Sequence, residues 1–215
     1  MKWTPKEFWK DEDVLIIGGG PSIKGLSWNL LYPEHTIGCN TAFTLGVEAC
    51  EICVFGDMAW WKAFKGELEK YEGLVFTNIL EFHTECNKFK CPPWVWTMER
   101  RVNGLHRDAL GWNGNTGSVA INLALIAGAK NIYLLGFDMK RIDNKPNWHD
   151  KVIRPEATKP DVYKMFTQQF KFVSRDWRTK FSDRKIFNVT RDSGLDQKVF
   201  PWIDPDVFWA SRKVA

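Results

Sequence analysis

The 215-residue sequence lacks the features that direct a protein into or across a membrane. No apolar run approaches the roughly 20 residues that a membrane-spanning helix needs. The opening residues, MKWTPKEFWKDED, contain no apolar core, so no signal peptide is predicted. These absences predict a cytoplasmic protein without a membrane span, in which the five cysteines stay reduced.

The sequence also lacks the motifs of several common reaction classes. A GxGxxG dinucleotide fingerprint needs glycine at position 23, where Ile23 stands, and GCN at 38–40 offers no acidic residue for a ribose. No GK[ST] completes a P-loop, no Gly-x-Ser-x-Gly forms a nucleophile elbow, and no close carboxylate pair of the glycosidase type occurs. NAD-dependent and ordinary P-loop chemistry are therefore disfavoured.

Cysteine spacing indicates a metal site only weakly. Cys50 and Cys53 form a C-x2-C pair, and Cys86 and Cys91 form a looser one. Because Cys53 falls inside an apolar strand and no second tight pair exists, buried thiols are favoured over zinc ligands.

The remaining composition is that of an ordinary globular protein, with 44% hydrophobic and 26% charged residues. A net charge of +4 is compatible with phosphorylated ligands or nucleic acid without requiring either. Twelve tryptophans are unusual, and each can stack on a sugar or base or cover an edge of the core.

The most informative stretch is DVLIIGGGPS at 13–22. Its apolar run at 14–17 predicts a buried strand, and a glycine turn follows that lets another group approach the backbone closely. The turn consists of Gly18, Gly19, Gly20, Pro21 and Ser22. Since Pro and Ser suit the first turn of a helix, the stretch predicts an anion site; a tight turn without a ligand is the alternative.

Short apolar runs alternate with amphipathic segments along the chain. Strands are predicted at 14–17, 36–39, 52–55, 74–77, 131–135 and 185–189, and helices at 58–70, 115–127 and 161–180, with a helix or loop at 23–31 and a helical turn at 41–49. This order predicts an α/β fold, a single Rossmann-like domain over 1–215 with a doubly wound, mostly parallel sheet. An irregular insertion near 79–114, with a hairpin at 94–97 as one option, and a lid loop near 139–160 interrupt the pattern.

Polar residues recur at the predicted strand ends and helix starts, where doubly wound sheets bind ligands. Outside the glycine turn they are Asn40, Asp57, Asn115, Thr116, Gly117 and Asp138. Their shared position predicts one binding site, although Asn115 could serve only as a helix cap and Asp138 could cap its own turn. His149 in the lid is a candidate general base or acid, and an isolated surface histidine is the alternative.

Three blocks resemble a known superfamily: VLIIGGGPSIKGL at 14–26, GCN at 38–40 and NTGSVAINLALIAGAKNIYLLGFDM at 115–139. The similarity is to a Rossmann-like superfamily that includes the bacterial lipooligosaccharide sialyltransferases of glycosyltransferase family 42. It also includes the archaeal-type 6-hydroxymethylpterin pyrophosphokinases and bacterial and phage homologues. FNVTRDSGLDQKVFP at 187–201 resembles the closing strand of this superfamily.

The resemblance to the sialyltransferases implies roles for individual residues. Their GxGPS loop, the Asn after the second strand and the [TS]-[ST]-G turn hold the CMP part of a CMP-sugar, and a lid His acts as base on the acceptor. The matching positions are Gly18, Gly20, Ser22, Asn40, Asn115, Thr116, Gly117 and, for the base, His149. Gly19 stands where the family has Asn, and no residue here is matched to the lid tyrosines that bind phosphate.

Residues and resemblance together favour a transferase that needs neither metal nor cofactor. It is predicted to bind a nucleotide or nucleotide-sugar, most simply as a glycosyltransferase with His149 as base. An Mg-ATP-dependent pyrophosphokinase, with Asp57 and Asp138 on the metal, stays open. A non-catalytic protein that binds a nucleotide or nucleic acid stays open as well. The acceptor is a glycan, a small molecule or nucleic acid, and an oligomer is compatible with the sequence.

Overall fold

The computed structural model describes residues 1–26, 28, 35–82, 90–151 and 160–212. This part of the chain contains nine strands: β1 (Asp13–Ile17), β2 (His35–Cys39), β3 (Ile52–Phe55), β4 (Leu74–Thr77), β5 (Val95–Thr97), β6 (Arg100–Arg101), β7 (Leu110–Gly111), β8 (Asn131–Leu135) and β9 (Lys185–Asn188). The α-helices of the same part are α1 (Met58–Leu68), α2 (Thr116–Ile126), α3 (Pro160–Lys180) and α4 (Pro205–Ala210).

Seven parallel strands form the central sheet in the order β5-β4-β3-β2-β1-β8-β9. Ile16 of β1 lies between Ile37 of β2 and Leu134 of β8. The chain runs outward from β1 to β5 on one side and from β8 to β9 on the other, so the order reverses beside β1. This topology confirms the predicted α/β fold with a doubly wound parallel sheet, and it places a switch point between β1 and β8.

The two faces of the sheet bury different helices. Side chains alternate along a strand, so Ile52 and Val54 join one apolar cluster while Cys53 and Phe55 join another. Helix α2 packs in the first cluster and is buried along almost its whole length. Helix α1 covers the second cluster through Trp60, Trp61, Phe64 and Leu68.

The region predicted as an irregular insertion supplies part of the sheet. The hairpin prediction at 94–97 is wrong, because β5 pairs in parallel with β4, and Phe76 lies beside Trp96. The N-terminal segment covers the outer edge of β5, where Trp3 N donates to Thr97 O at 2.9 Å. Strands β6 and β7 also pair in parallel, as a separate two-stranded unit.

The helix start expected after the glycine turn is only a short 3-10 turn, Pro21–Ile23. Lys24 leaves helical geometry with ψ 125, and the remainder of the segment predicted at 23–31 lies largely outside the described residues. A turn of this length does not sum a macrodipole, so this loop lacks the helix N-terminus on which the predicted anion site was based. The turn at 41–49 is likewise a 3-10 helix, Asn40–Leu45.

Three cysteines and four tryptophans in the described residues are buried in the core. Cys39, Cys50 and Cys53 are buried free thiols, and burial raises the pKa of Cys50 to about 12. Cys91 is partly exposed, and Cys86 lies outside the described residues. Four of the tryptophans considered for stacking are buried: Trp3, Trp9, Trp60 and Trp61. Core packing is therefore the role of these four rings.

None of the helices in the described ranges is long and apolar enough to cross a membrane. Over the same ranges, no group of three or more His, Cys, Asp or Glu side chains is arranged to hold a metal ion.

Candidate active site

A cavity of about 280 Å³ lies at the carboxyl edge of the sheet, at the switch point between β1 and β8. We call it the sheet-edge cavity. Its wall includes all the residues predicted to bind a nucleotide except Pro21 and Ser22: Gly18, Gly19, Gly20, Asn40, Asp57, Asn115, Thr116, Gly117 and Asp138. The parallel topology explains this convergence, because the carboxyl ends of neighbouring strands meet at one edge.

The glycine turn is shaped by its packing on β8. Gly18 N donates to Leu135 O at 2.7 Å, and Gly20 N donates to Gly136 O at 2.9 Å. A Cβ at position 18 would overlap Gly136 O, and one at position 20 would overlap Asp138 Oδ2. These two glycines are therefore required by the protein itself, and their amides are already donated. None of the three glycines has a positive φ, so close packing and not left-handed backbone geometry explains Gly18 and Gly20.

Gly19 is the member of the turn that the fold leaves unconstrained. A Cβ there would have Asn147 Oδ1 as its nearest neighbour, at an ordinary 3.4 Å. Gly19 O accepts from Trp148 N at 3.2 Å, which docks the lid on the glycine turn.

Asp138 is the buried carboxyl of the site, with 1% of its surface exposed. Ser22 Oγ donates to Asp138 Oδ2 at 2.9 Å, so Ser22 acts behind the cavity wall by fixing Asp138. Oδ1 of Asp138 is buried and has no hydrogen-bond partner among the described residues. Burial raises the pKa of Asp138, while the bonds from Ser22 and the charge of Lys140 oppose the rise. This oxygen can accept a hydrogen bond from a hydroxyl group of a ligand.

The start of α2 faces the same cavity. Asn115 Oδ1 accepts from Ser118 N at 2.8 Å, which confirms Asn115 as the helix cap. The N–H groups of Thr116 and Gly117 belong to the first turn, where helices leave such donors without an intrahelical partner. Thr116 Oγ1 donates to Asn40 Oδ1 at 3.3 Å across the cavity wall. Hydrogen-bond donors and the positive end of an 11-residue helix therefore meet here.

Asp57 combines a structural role with its place on the wall. Its Oδ1 accepts from Ala59 N at 2.7 Å and from Trp60 N at 3.2 Å, so it caps α1. Of the two carboxylates that a pyrophosphokinase would place on a metal, Asp57 is engaged through Oδ1 and Asp138 through Oδ2.

The lid reaches the cavity through residues next to the predicted base. Pro146 and Asn147 line the wall, whereas His149 does not. His149 Nδ1 is buried without a hydrogen-bond partner in the described part of the chain, and the ring lies edge-on to Trp148. Burial lowers the pKa of His149, Lys151 lowers it further, and Asp150 opposes both. The imidazole is therefore neutral at neutral pH and able to accept a proton.

Several wall residues were missed by the reasoning from sequence, notably Trp112, Lys140, Tyr163 and Phe166. Tyr163 lies on α3, and its hydroxyl donates to Pro146 O at 3.2 Å, which ties the helix to the lid. The chain has four tyrosines, and Tyr163 is the one nearest the lid in sequence, which is the signal that could have identified it. Trp112 lines the wall of the sheet-edge cavity, and the guanidinium of Arg100 lies over its ring, 4.1 Å from the ring centroid.

Comparison with known proteins identifies the fold. No protein family matches the sequence, and no curated protein matches it. The sialyltransferase CstII from Campylobacter jejuni, in complex with cytidine-5'-monophosphate, has a TM-score of 0.52 at 12% identity over 91% of this chain and 86% of that one. The sialyltransferase CST-II in complex with a trisaccharide acceptor and CMP has a TM-score of 0.50 at 15% identity, over 90% and 86%.

A third solved structure, MAf glycosyltransferase from Magnetospirillum magneticum AMB-1, has a TM-score of 0.61 at 13% identity. The match covers 97% of this chain and 38% of that protein, so this chain corresponds to a minor part of its length. At such identities the likeness defines the class of fold. The chain has the Rossmann-like α/β fold that these glycosyltransferases share.

Proposed function

We propose that the protein is a glycosyltransferase that binds a nucleotide-sugar donor in the sheet-edge cavity. The observation that carries the proposal is the convergence of the glycine turn, Asn40, the start of α2 and Asp138 on one cavity at the switch point. Doubly wound folds bind nucleotides at this position. The shared fold with a CMP-bound sialyltransferase makes a CMP-sugar the first donor to try.

The start of α2 is the proposed phosphate site. The N–H groups of Thr116 and Gly117 and the helix dipole together favour an anion, and the Thr116 hydroxyl holds Asn40 in the wall. This choice moves the main phosphate contact away from the glycine turn, since Gly18 and Gly20 donate their amides within the protein. Asn40 would then contact the ribose or base, and Asp138 Oδ1 would accept from a ribose hydroxyl.

The proposed reaction joins an acceptor oxygen to the anomeric carbon of the donor sugar. The bond from that carbon to the nucleotide phosphate breaks, and the departing phosphate takes the electron pair. Its charge would be offset by the start of α2 and by Lys140, so that charge stabilisation does not require a metal. His149, neutral because of its lowered pKa, is the proposed base for the acceptor proton.

A thermal-shift panel of CMP, UDP, GDP, ADP, ATP and their common sugar conjugates, with and without Mg²⁺, tests the proposal. Ligand at 100 times Kd stabilises the folded state by about 2.7 kcal/mol. We expect a shift with one nucleoside family in the absence of Mg²⁺. Stabilisation by Mg-ATP alone would replace the proposal with the pyrophosphokinase, and no stabilisation by any of these ligands would contradict nucleotide binding.

A pair of matched variants locates the binding. Thr116→Val removes the hydroxyl at the start of α2 and should reduce the shift. Thr179→Val makes the same change on the exposed end of α3, where the hydroxyl bonds only within the helix, and should leave the shift intact. Turnover of the bound nucleotide-sugar then separates an enzyme from a binding protein.

A further inference from the structure

A second cavity, of about 640 Å³, adjoins the sheet-edge cavity. We call it the basic cleft. Its wall consists of Met139, Lys140, Arg141, Tyr163, Lys164, Thr167, Gln168 and Lys171. Met139, Lys140 and Tyr163 also belong to the wall of the sheet-edge cavity, so the two spaces share one partition.

The charge of the basic cleft has a single sign. Its described wall contains four cations, Lys140, Arg141, Lys164 and Lys171, and no carboxylate. Lys164, Gln168 and Lys171 recur at spacings of four and three on α3, so they form one stripe along the helix. The rest of the wall is polar or adaptable: Thr167 and Gln168 offer hydrogen bonds, and Met139 offers a soft apolar contact.

The basic cleft lies next to the proposed donor site, where an acceptor would have to bind. A sugar bound to a phosphate at α2 must face its acceptor across a short distance, and the partition of Met139, Lys140 and Tyr163 is where the two spaces meet. The cleft is the larger of the two, with room for a saccharide beside the donor.

We infer that the basic cleft binds the acceptor, and that this acceptor is a saccharide carrying a carboxylate or phosphate group held by Lys164 and Lys171. The role of this saccharide as an acceptor rests on the proposed function. The anion-binding chemistry itself depends only on the charge and shape of the cleft.

Three probes with one sugar skeleton test the charge preference: glucose, glucuronate and glucose 6-phosphate. Their dissociation constants are measured by ligand-observed NMR, with and without the nucleotide identified by thermal shift. We expect one or both anionic probes to bind more tightly than glucose, without competing with the nucleotide. The carboxylate and phosphate arms show which anion is preferred.

Two double variants with equal loss of charge locate the binding. Lys164→Gln with Lys171→Gln should weaken binding of the preferred anionic probe about tenfold and leave glucose and nucleotide binding unchanged. Arg178→Gln with Lys185→Gln is the control, since both side chains are exposed and neither lines the basic cleft. Thermal unfolding of both double variants verifies that they fold.

Equal binding of the three probes by the native protein would overturn the inference, as would equal loss in the two double variants. Competition between the anionic probe and the nucleotide would overturn it too, because the anion would then occupy the donor site. Binding of an anionic probe in the cleft without binding of any nucleotide would refute the proposed glycosyltransferase while supporting the cleft as an anionic-saccharide site.

Discussion

At the scale of single residues, the glycines of the glycine turn differ in how closely other atoms pack against them. Gly20 is required because a Cβ would overlap Asp138 Oδ2, the atom that holds Ser22. Gly19 has no such neighbour. The same GGG motif therefore contains positions with different tolerance for a side chain.

This difference gives a direct prediction for alanine. Gly20→Ala should destabilise the protein by about 1–3 kcal/mol, the usual cost of overpacking a close contact. Gly19→Ala should change the free energy of unfolding by less than about 0.5 kcal/mol. Urea denaturation of both variants measures the two values. Similar losses in the two variants would contradict the packing argument.

His149 gives a prediction for pH dependence under the proposed function. The base must be unprotonated to act, so transfer should fall as pH drops through the pKa of His149. Because burial lowers that pKa, the loss should occur below pH 6.5. His149→Ala should reduce turnover roughly 10²–10⁴-fold while nucleotide binding persists.

The neighbours of His149 supply the control for that profile. Lys151→Gln removes a charge that lowers the pKa and should move the acid limb of kcat/KM to higher pH. Asp150→Asn removes the charge that raises it and should move the limb to lower pH. Unshifted profiles in both variants would assign the titration to another group.

At the scale of elements, the start of α2 is proposed both to stabilise the helix through its cap and to bind the nucleotide, and mutation can separate the two roles. Asn115 and Asp204 both cap helices, α2 and α4, through side-chain oxygens that accept backbone N–H groups. Replacing either by alanine should cost about 1 kcal/mol of stability. Asn115→Ala should also weaken nucleotide binding, because Asn115 lines the sheet-edge cavity. Asp204→Ala should not.

Chemical denaturation and the thermal-shift panel, applied to both variants, measure the two effects. An equal fall in nucleotide stabilisation in both variants would mean that general destabilisation accounts for it, and the role of α2 would lose its support.

The same scale shows what a sequence can reveal about this fold. β1, β3, β4 and β8 were predicted because each is an apolar run bounded by polar or glycine residues, which is a local signal. β5 was missed as a sheet strand because it has only three residues, and its pairing with β4 is set by distant contacts. The strand ends led to the cavity wall, since topology alone brings them to one edge. Tyr163 and Phe166 were missed there because a helical pattern does not tell which partly exposed face borders a cavity.

At the scale of the whole molecule, the N-terminal segment ties distant elements together. Trp3 N donates to Thr97 O at the outer edge of β5, and Trp9 N donates to Ala127 O at the end of α2. The ring of Trp9 stacks on His35 at 4.9 Å, and His35 Nε2 lies 2.6 Å from Glu12. The segment thus covers one sheet edge and one helix end, both of which would otherwise present unpaired backbone groups.

This arrangement predicts that a side chain near the N-terminus contributes strongly to global stability. Trp3 is 8% exposed and its ring meets Phe76 edge-on at 5.3 Å, so Trp3→Ala should cost about 3–5 kcal/mol. Phe8 is 41% exposed, and Phe8→Ala should cost less than about 1 kcal/mol. Urea denaturation compares the two variants. Neither residue lines the sheet-edge cavity, so the nucleotide-induced stabilisation should be the same in both variants. A small loss of unfolding free energy in Trp3→Ala would show that the segment does not close the sheet edge.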